Sequence, residues 1–224
     1  MRRSSRLPCA LVALATALVV AGCGGDSDST TSSEPFAPQA TLRAIGGTER
    51  TDKPELVMRV VTRPGDVNIR SVAVELPPVV LVDTKALGGV CAESKLESDG
   101  CAGHHRVGFA RALSPAYDGA LSGPVYAVSG SGGLPRLAYV LSGPADILLY
   151  GRVISKGGRM QAGIEDVPDT PLSSFELTID GGKHGYLVLS QDICKTDAVA
   201  DATFTSQDGE VHRERIPLVA ECGA

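Results

Sequence analysis

Tryptophan is absent from these 224 residues, and aromatic residues of all kinds make up 4%: four Phe and five Tyr. Sugar-binding surfaces lean on aromatic platforms, so this poverty counts against carbohydrate recognition. A basic excess is missing too. The 21 Lys and Arg face 26 Asp and Glu, a net charge of −5, whereas a nucleic-acid partner calls for a basic footprint. The signatures of catalysis are also lacking: Ser131 lies in SGSGG rather than G-x-S-x-G, and there is no HExxH, Walker loop or GxGxxG. Gly130–Gly133 leads into Leu134-Pro135 where a phosphate-binding loop needs a helix, so it reads as a hairpin loop. Neither an enzyme activity nor a cofactor is expected.

What remains is a chain 43% hydrophobic and 21% charged, the composition of a folded domain, with a length that one all-β domain can fill. Its N-terminus differs from the rest. Arg2, Arg3 and Arg6 precede Leu7–Gly22, 16 residues almost wholly apolar or small. That is short of the about 20 residues of a transmembrane helix and suits a secretory signal. The run closes in Val20-Ala21-Gly22-Cys23, which resembles the lipobox of bacterial lipoproteins. The resemblance implies cleavage before Cys23, lipid on its sulfur, and a protein held to the membrane on the extracytoplasmic face. Acyl chains contribute about 0.8 kcal/mol per buried methylene, so two or three would anchor it durably.

Residues 23–40 then hold three acids, no base and few large apolar groups, the composition of a flexible linker. Removing residues 1–22 takes away three Arg and leaves a charge of −8; removing the linker acids returns the domain over residues 41–224 to −5.

Of six Cys, Cys9 leaves with the signal and Cys23 is assigned to lipid. Cys91, Cys101, Cys194 and Cys222 remain, and outside the cytoplasm an even count reads as disulfides with three possible connectivities. Cys91–Cys101 and Cys194–Cys222 are favoured because each closes a local loop. The neighbouring His104 and His105 raise a zinc reading, but C-x9-C-x2-HH matches no common finger. In an extended chain the two His would point to opposite faces.

From Thr41 onward the chain reads as about ten short strands, hence an antiparallel β-sandwich, immunoglobulin-like or related, with one short helix at Ala92–Ser98. Phe175, Leu177 and Ile179 alternate with polar residues, and Asp180-Gly181-Gly182 then predicts a hairpin into Gly185–Ser190. Asp118-Gly119 and Asp208-Gly209 mark further turns. The nearly continuous LAYVL and ILLY, in Arg136–Leu141 and Asp146–Ile154, suit central strands covered on both faces. Between Val67 and Leu76 the alternation slips phase, which predicts a bulge or break near Arg70-Ser71. The charged run Glu210–Val219 reads as an edge strand. Leu-Ser-Gly-Pro occurs at 121–124 and again at 141–144, as equivalent corners of a meander would.

Leu76-Pro77-Pro78, Cys91, Cys101 with Val107-Gly108, Leu121-Ser122-Gly123-Pro124-Val125-Tyr126, the stretch from Val167 to Leu177, Gly181-Gly182-Lys183, Cys194 and Cys222 together resemble a recurrent extracellular domain of actinobacterial surface proteins. The resemblance implies a secreted β domain with paired Cys and assigns no activity. The expected role is therefore structural or protein-binding in the cell envelope, with the membrane (through Cys23) and an envelope protein as partners. Small-ligand or metal capture is the second class, with His104, His105, Glu165, Asp166 and Asp169 as its candidate residues; an unrecognised hydrolase is the third. Glu165–Asp169 carries three carboxylates in five residues, but an acidic loop between prolines is ordinarily solvated. His184 and His212 read as exposed imidazoles.

Overall fold

The computed structural model describes residues 35–83, 85–86, 89–96, 101, 106–130 and 134–223. The lipidation candidate Cys23 and the His104-His105 pair lie outside them.

Thirteen strands occur among the described residues: β1 (Gln39–Ile45), β2 (Glu55–Val61), β3 (Ile69–Glu75), β4 (Val80–Val82), β5 (Arg106–Leu113), β6 (Ala120–Val128), β7 (Arg136–Leu141), β8 (Ile147–Lys156), β9 (Arg159–Ile164), β10 (Ser174–Ile179), β11 (Leu187–Leu189), β12 (Val199–Ser206) and β13 (Val211–Ala220). All-β is right; the sandwich is not. Eleven strands close on themselves in the order β1-β13-β12-β3-β9-β8-β7-β6-β5-β10-β2, while β4 and β11 pair as a separate two-stranded sheet. Strict alternation of direction cannot close an odd ring, and the ring's strands run parallel where β1 meets β13, with Leu42 opposite Leu218.

Closure changes the reading of particular segments. β13 is no edge, since it pairs with both β12 and β1. Its charges serve the seam: the Ala40 N–H donates to Glu214 (3.0 Å), and the Phe36 N–H to Glu210 (3.2 Å). Phe36 and Pro38 are buried, so the barrel takes up the end of the stretch read as linker. The hairpin expected at Asp180-Gly181-Gly182 does not form. β10 pairs with β2 and β5, and β11 with β4. A Cβ on Gly181 would stand 2.3 Å from the Glu55 nitrogen, so glycine here lets the chain cross close over the β1–β2 connection. The expected helix is only a 3-10 turn over Glu93–Lys95.

Other features stand where expected. Thr205 faces Ser71 while Ser206 faces Ile69, which leaves Arg70 as the extra residue of a bulge in β3. The two Leu-Ser-Gly-Pro copies, by contrast, are not equivalent corners: 121–124 lies inside β6 while Leu141 ends β7 and leads into a turn, and Ser122 and Ser142 exchange backbone hydrogen bonds of 2.9 and 3.0 Å. Cys91 and Cys101 are at disulfide distance (Cα–Cα 5.7 Å), as are Cys194 and Cys222 (5.6 Å), the two pairs favoured by loop closure. The first pair packs with Leu96 on the outside of the barrel, over Val128 and Ala138. β7 is thus covered on both faces there. The ILLY run of β8 is not, because Leu148 is 41% and Tyr150 36% exposed.

Candidate functional site

Alternation along the barrel strands turns one face to the interior, and that face is mostly apolar, with His212 and Glu214 of β13, opposite Phe204 and Ala202, as exceptions. The burial pattern of β1 places Ala40, Leu42 and Ala44 inward; β5 contributes Ala110 and Ala112, and β12 contributes Ala200, Ala202 and Phe204. The outward positions carry charge. Glu176 on β10 lies between Arg59 on β2 and Arg111 on β5, and Asp201 lies opposite Arg215. A membrane-spanning barrel has the inverse arrangement, apolar outside and polar within.

About eight strands give a barrel that side chains just fill. Eleven enclose more space, and the inward residues here are small. The interior accordingly holds two cavities. The first, about 150 Å³, lies toward the end capped by β4 and β11, among Leu137, Tyr139, Val153, Met160, Tyr186 and Leu187. The second, about 100 Å³, lies toward the opposite end, beneath Val167, Pro168, Pro171 and Leu172. Val60, Val72, Ile164 and Phe175 line both, so the two are neighbours along the barrel.

Few polar groups reach these chambers. Tyr139 on β7 is 3% exposed and lies between Phe175, whose ring centroid is 6.2 Å away, and Gly151 on β8. Burial pushes its phenol well above the ordinary tyrosine range. Tyr139 lines the first chamber, with its hydroxyl close to Gly151 in the wall. Tyr186 is only half-buried, and burial together with the charge of Asp180 raises its phenol as well. Asp180 in turn accepts from Arg106 at 3.0 Å.

The acids singled out from the sequence are not drawn together. Glu165 pairs with Arg152 (2.9 Å), Asp169 accepts from Asn68 (2.7 Å), and Asp166 is exposed. Among the described residues no three His, Cys, Asp or Glu side chains group as metal donors. The loop that carries these acids instead turns Val167 and Leu172 into the core, closing one end of the barrel. His184 is exposed. His212 is half-buried and stacks on Phe204 with centroids 6.3 Å apart, which its charged surroundings in the sequence conceal.

The chambers were not visible as a motif. Their trace in the sequence is the recurrence of Ala at inward strand positions together with the scarcity of aromatic residues to fill the space. No known family, curated protein or solved structure matches this chain.

Proposed function

We propose that this barrel is a receptor for a small apolar ligand, tethered outside the cytoplasm by lipid on Cys23. The observation that carries the reading is the pair of adjoining apolar chambers inside a closed, outwardly charged wall. A purely structural domain gains from a filled core, since each void forgoes packing contacts. A dry cavity of about 150 Å³ is large enough to bind benzene. Small-ligand capture thus stands ahead of a passive envelope role, and it needs no catalytic group, metal or cofactor.

Native mass spectrometry of the full-length protein purified from its own membranes tests this. A co-purifying apolar molecule, released by organic solvent and displaced by an added apolar probe, supports the receptor. Protein free of ligand and indifferent to apolar probes argues against it.

A protein-binding role retains one supporting observation. On the outer wall Phe109, 44% exposed, faces Pro124, and Val140 faces Leu148 at 41%, an apolar row across β5–β8. Affinity capture from envelope fractions with Phe109→Ser and Leu148→Ser as controls separates the two readings. Partners lost in both variants favour protein binding through this row.

A further inference from the structure

Strands β5–β8 depart from the mixed charge of the outer wall. Their register carries an apolar row from Phe109 through Pro124 and Val140 to Leu148, and beside it a second from Tyr126 through Ala138 to Tyr150. Phe109, Leu148 and Tyr150 are exposed. The charges on these four strands are all of one sign: Arg106, Arg111, Arg136, Arg152 and Lys156, with no Asp or Glu, in a chain whose net charge is −5. Acids reach them from elsewhere: Asp180 pairs with Arg106, Glu93 with Arg136 and Glu165 with Arg152, and Glu176 lies beside Arg111. Arg106 and Arg152 still keep more than half of their side chains in solvent (55% and 61%). The Arg136 guanidinium lies 4.6 Å over the Tyr150 ring, at the margin of the row. The acids of the connecting turns, Asp118 and Asp146, stand at the other end of these strands from Arg106, Arg136 and Arg152.

We infer that this side of the barrel lies on the bilayer, with the row at the acyl boundary and the bases among anionic lipid headgroups. The inference rests on the proposed lipid at Cys23. Phe36, already buried in the barrel, stands 13 positions after that residue. A chain of that length spans at most about 45 Å. Linkage over so short a distance gives an effective concentration of the order of millimolar, at which a contact too weak to capture a free protein is still occupied. The composition of the row suits that neighbour. Phe and Leu side chains enter the acyl boundary, whereas Tyr rings and long Arg side chains settle at headgroup level. Bases without acids on the same strands fit a surface of anionic lipid, which attracts Lys and Arg close to it. A protein partner calls for a shape matched to the row, while a bilayer conforms to it and is held within reach by the anchor.

The chain has no Trp, so a single introduced one reports only its own surroundings. Full-length lipidated protein carrying Leu148→Trp, Phe109→Trp or Val211→Trp is reconstituted on vesicles of phosphatidylcholine, with and without phosphatidylglycerol, and on matched vesicles with brominated acyl chains. Val211 is as exposed as Phe109 but lies on β13, across the ring from β6 and β7. Fluorescence of the two row variants is expected to shift to the blue and to be quenched by brominated chains, more strongly with phosphatidylglycerol present. Val211→Trp is expected to do neither. Vesicle flotation separates this inference from the anchor beneath it. Protein that floats while both row variants keep the emission of a solvated tryptophan, or while Val211→Trp is quenched in their place, overturns the inference and leaves the anchor standing. Protein that does not float defeats the anchor and the inference with it. Equal signals with and without phosphatidylglycerol overturn the part given to the bases. A blue shift that requires an envelope extract and is absent on vesicles assigns the row to a protein partner instead.

Discussion

The ring of Tyr139 lies against Gly151 on the neighbouring strand, so closely that a Cβ built on the glycine would stand 3.0 Å from Cε2 and 3.2 Å from the Gly163 carbonyl oxygen. The missing side chain is what lets the ring lie along the wall instead of filling the chamber. Gly151→Ala is therefore expected to destabilise the barrel by about 1–3 kcal/mol, as overpacking does, and to weaken binding of apolar probes by pushing the ring inward. Urea denaturation and probe titration on the same variant read both effects.

How much of this was legible in the sequence follows the range of the interactions involved. The bulge at Arg70 and the turns at Gly119 and Gly209 are set by neighbouring residues or short hairpins, and the pattern shows them. Barrel and sandwich share that local pattern. What separates them is pairing between distant segments, such as β12 with β3, β10 with both β2 and β5, and β1 with β13, and a single chain's alternation does not name partners. The chambers are further removed still. They arise from the number of strands enclosed multiplied by the smallness of Ala40, Ala110, Ala112, Ala127, Ala200 and Ala202, and the strand number comes only with closure.

Arg159 at the start of β9 binds Glu75 (2.7 Å) and Asp201 (2.9 Å), and donates to the carbonyls of Leu76 and Val199. It joins the end of β3 to the start of β12 from a position only 24% exposed. Arg159→Ala is expected to cost about 2 kcal/mol, the range of hydrogen bonds to charged groups. Arg152→Ala, which removes a pair with Glu165 exposed on both sides, is expected to cost no more than about 0.5 kcal/mol. Equal losses in parallel urea melts would contradict this ranking.

The two cysteine pairs span 10 and 28 residues of sequence. Replacing either pair with Ala is expected to lower stability by about 3 and about 3.5 kcal/mol respectively through the entropy of the unfolded chain. The first replacement should also uncover Val128 and Ala138, now 0% exposed beneath the loop, and speed amide exchange in β6 and β7. Hydrogen-exchange mass spectrometry of the Cys91→Ala/Cys101→Ala protein checks the local effect.

Acid and alkali are expected to weaken the fold through different groups. Hydrogen bonding to Lys53 holds the Asp83 carboxyl below its ordinary 3.8, and Lys195 and Ser206 do the same for Asp192 and Asp208. The unfolded chain takes up those protons first, so the stability they contribute is present above about pH 4 and is lost as the pH falls through the folded values. Burial raises the Tyr139 phenol above 10.0, so its contribution is whole below that pH and declines as the pH rises past it. Thermal melts across pH are expected to show a shallower acid limb for Asp83→Asn and a shallower alkaline limb for Tyr139→Phe. Unchanged limbs in both variants would contradict these assignments.

The hollow interior is tested most directly by a crystal of the protein under xenon pressure, since xenon enters dry apolar cavities. The expected result is anomalous density in both chambers, one site among Leu137, Val153 and Met160 and the other beneath Pro168 and Leu172. Side chains collapsed into that space, or ordered water with no xenon in either chamber, would contradict a barrel built to hold an apolar ligand.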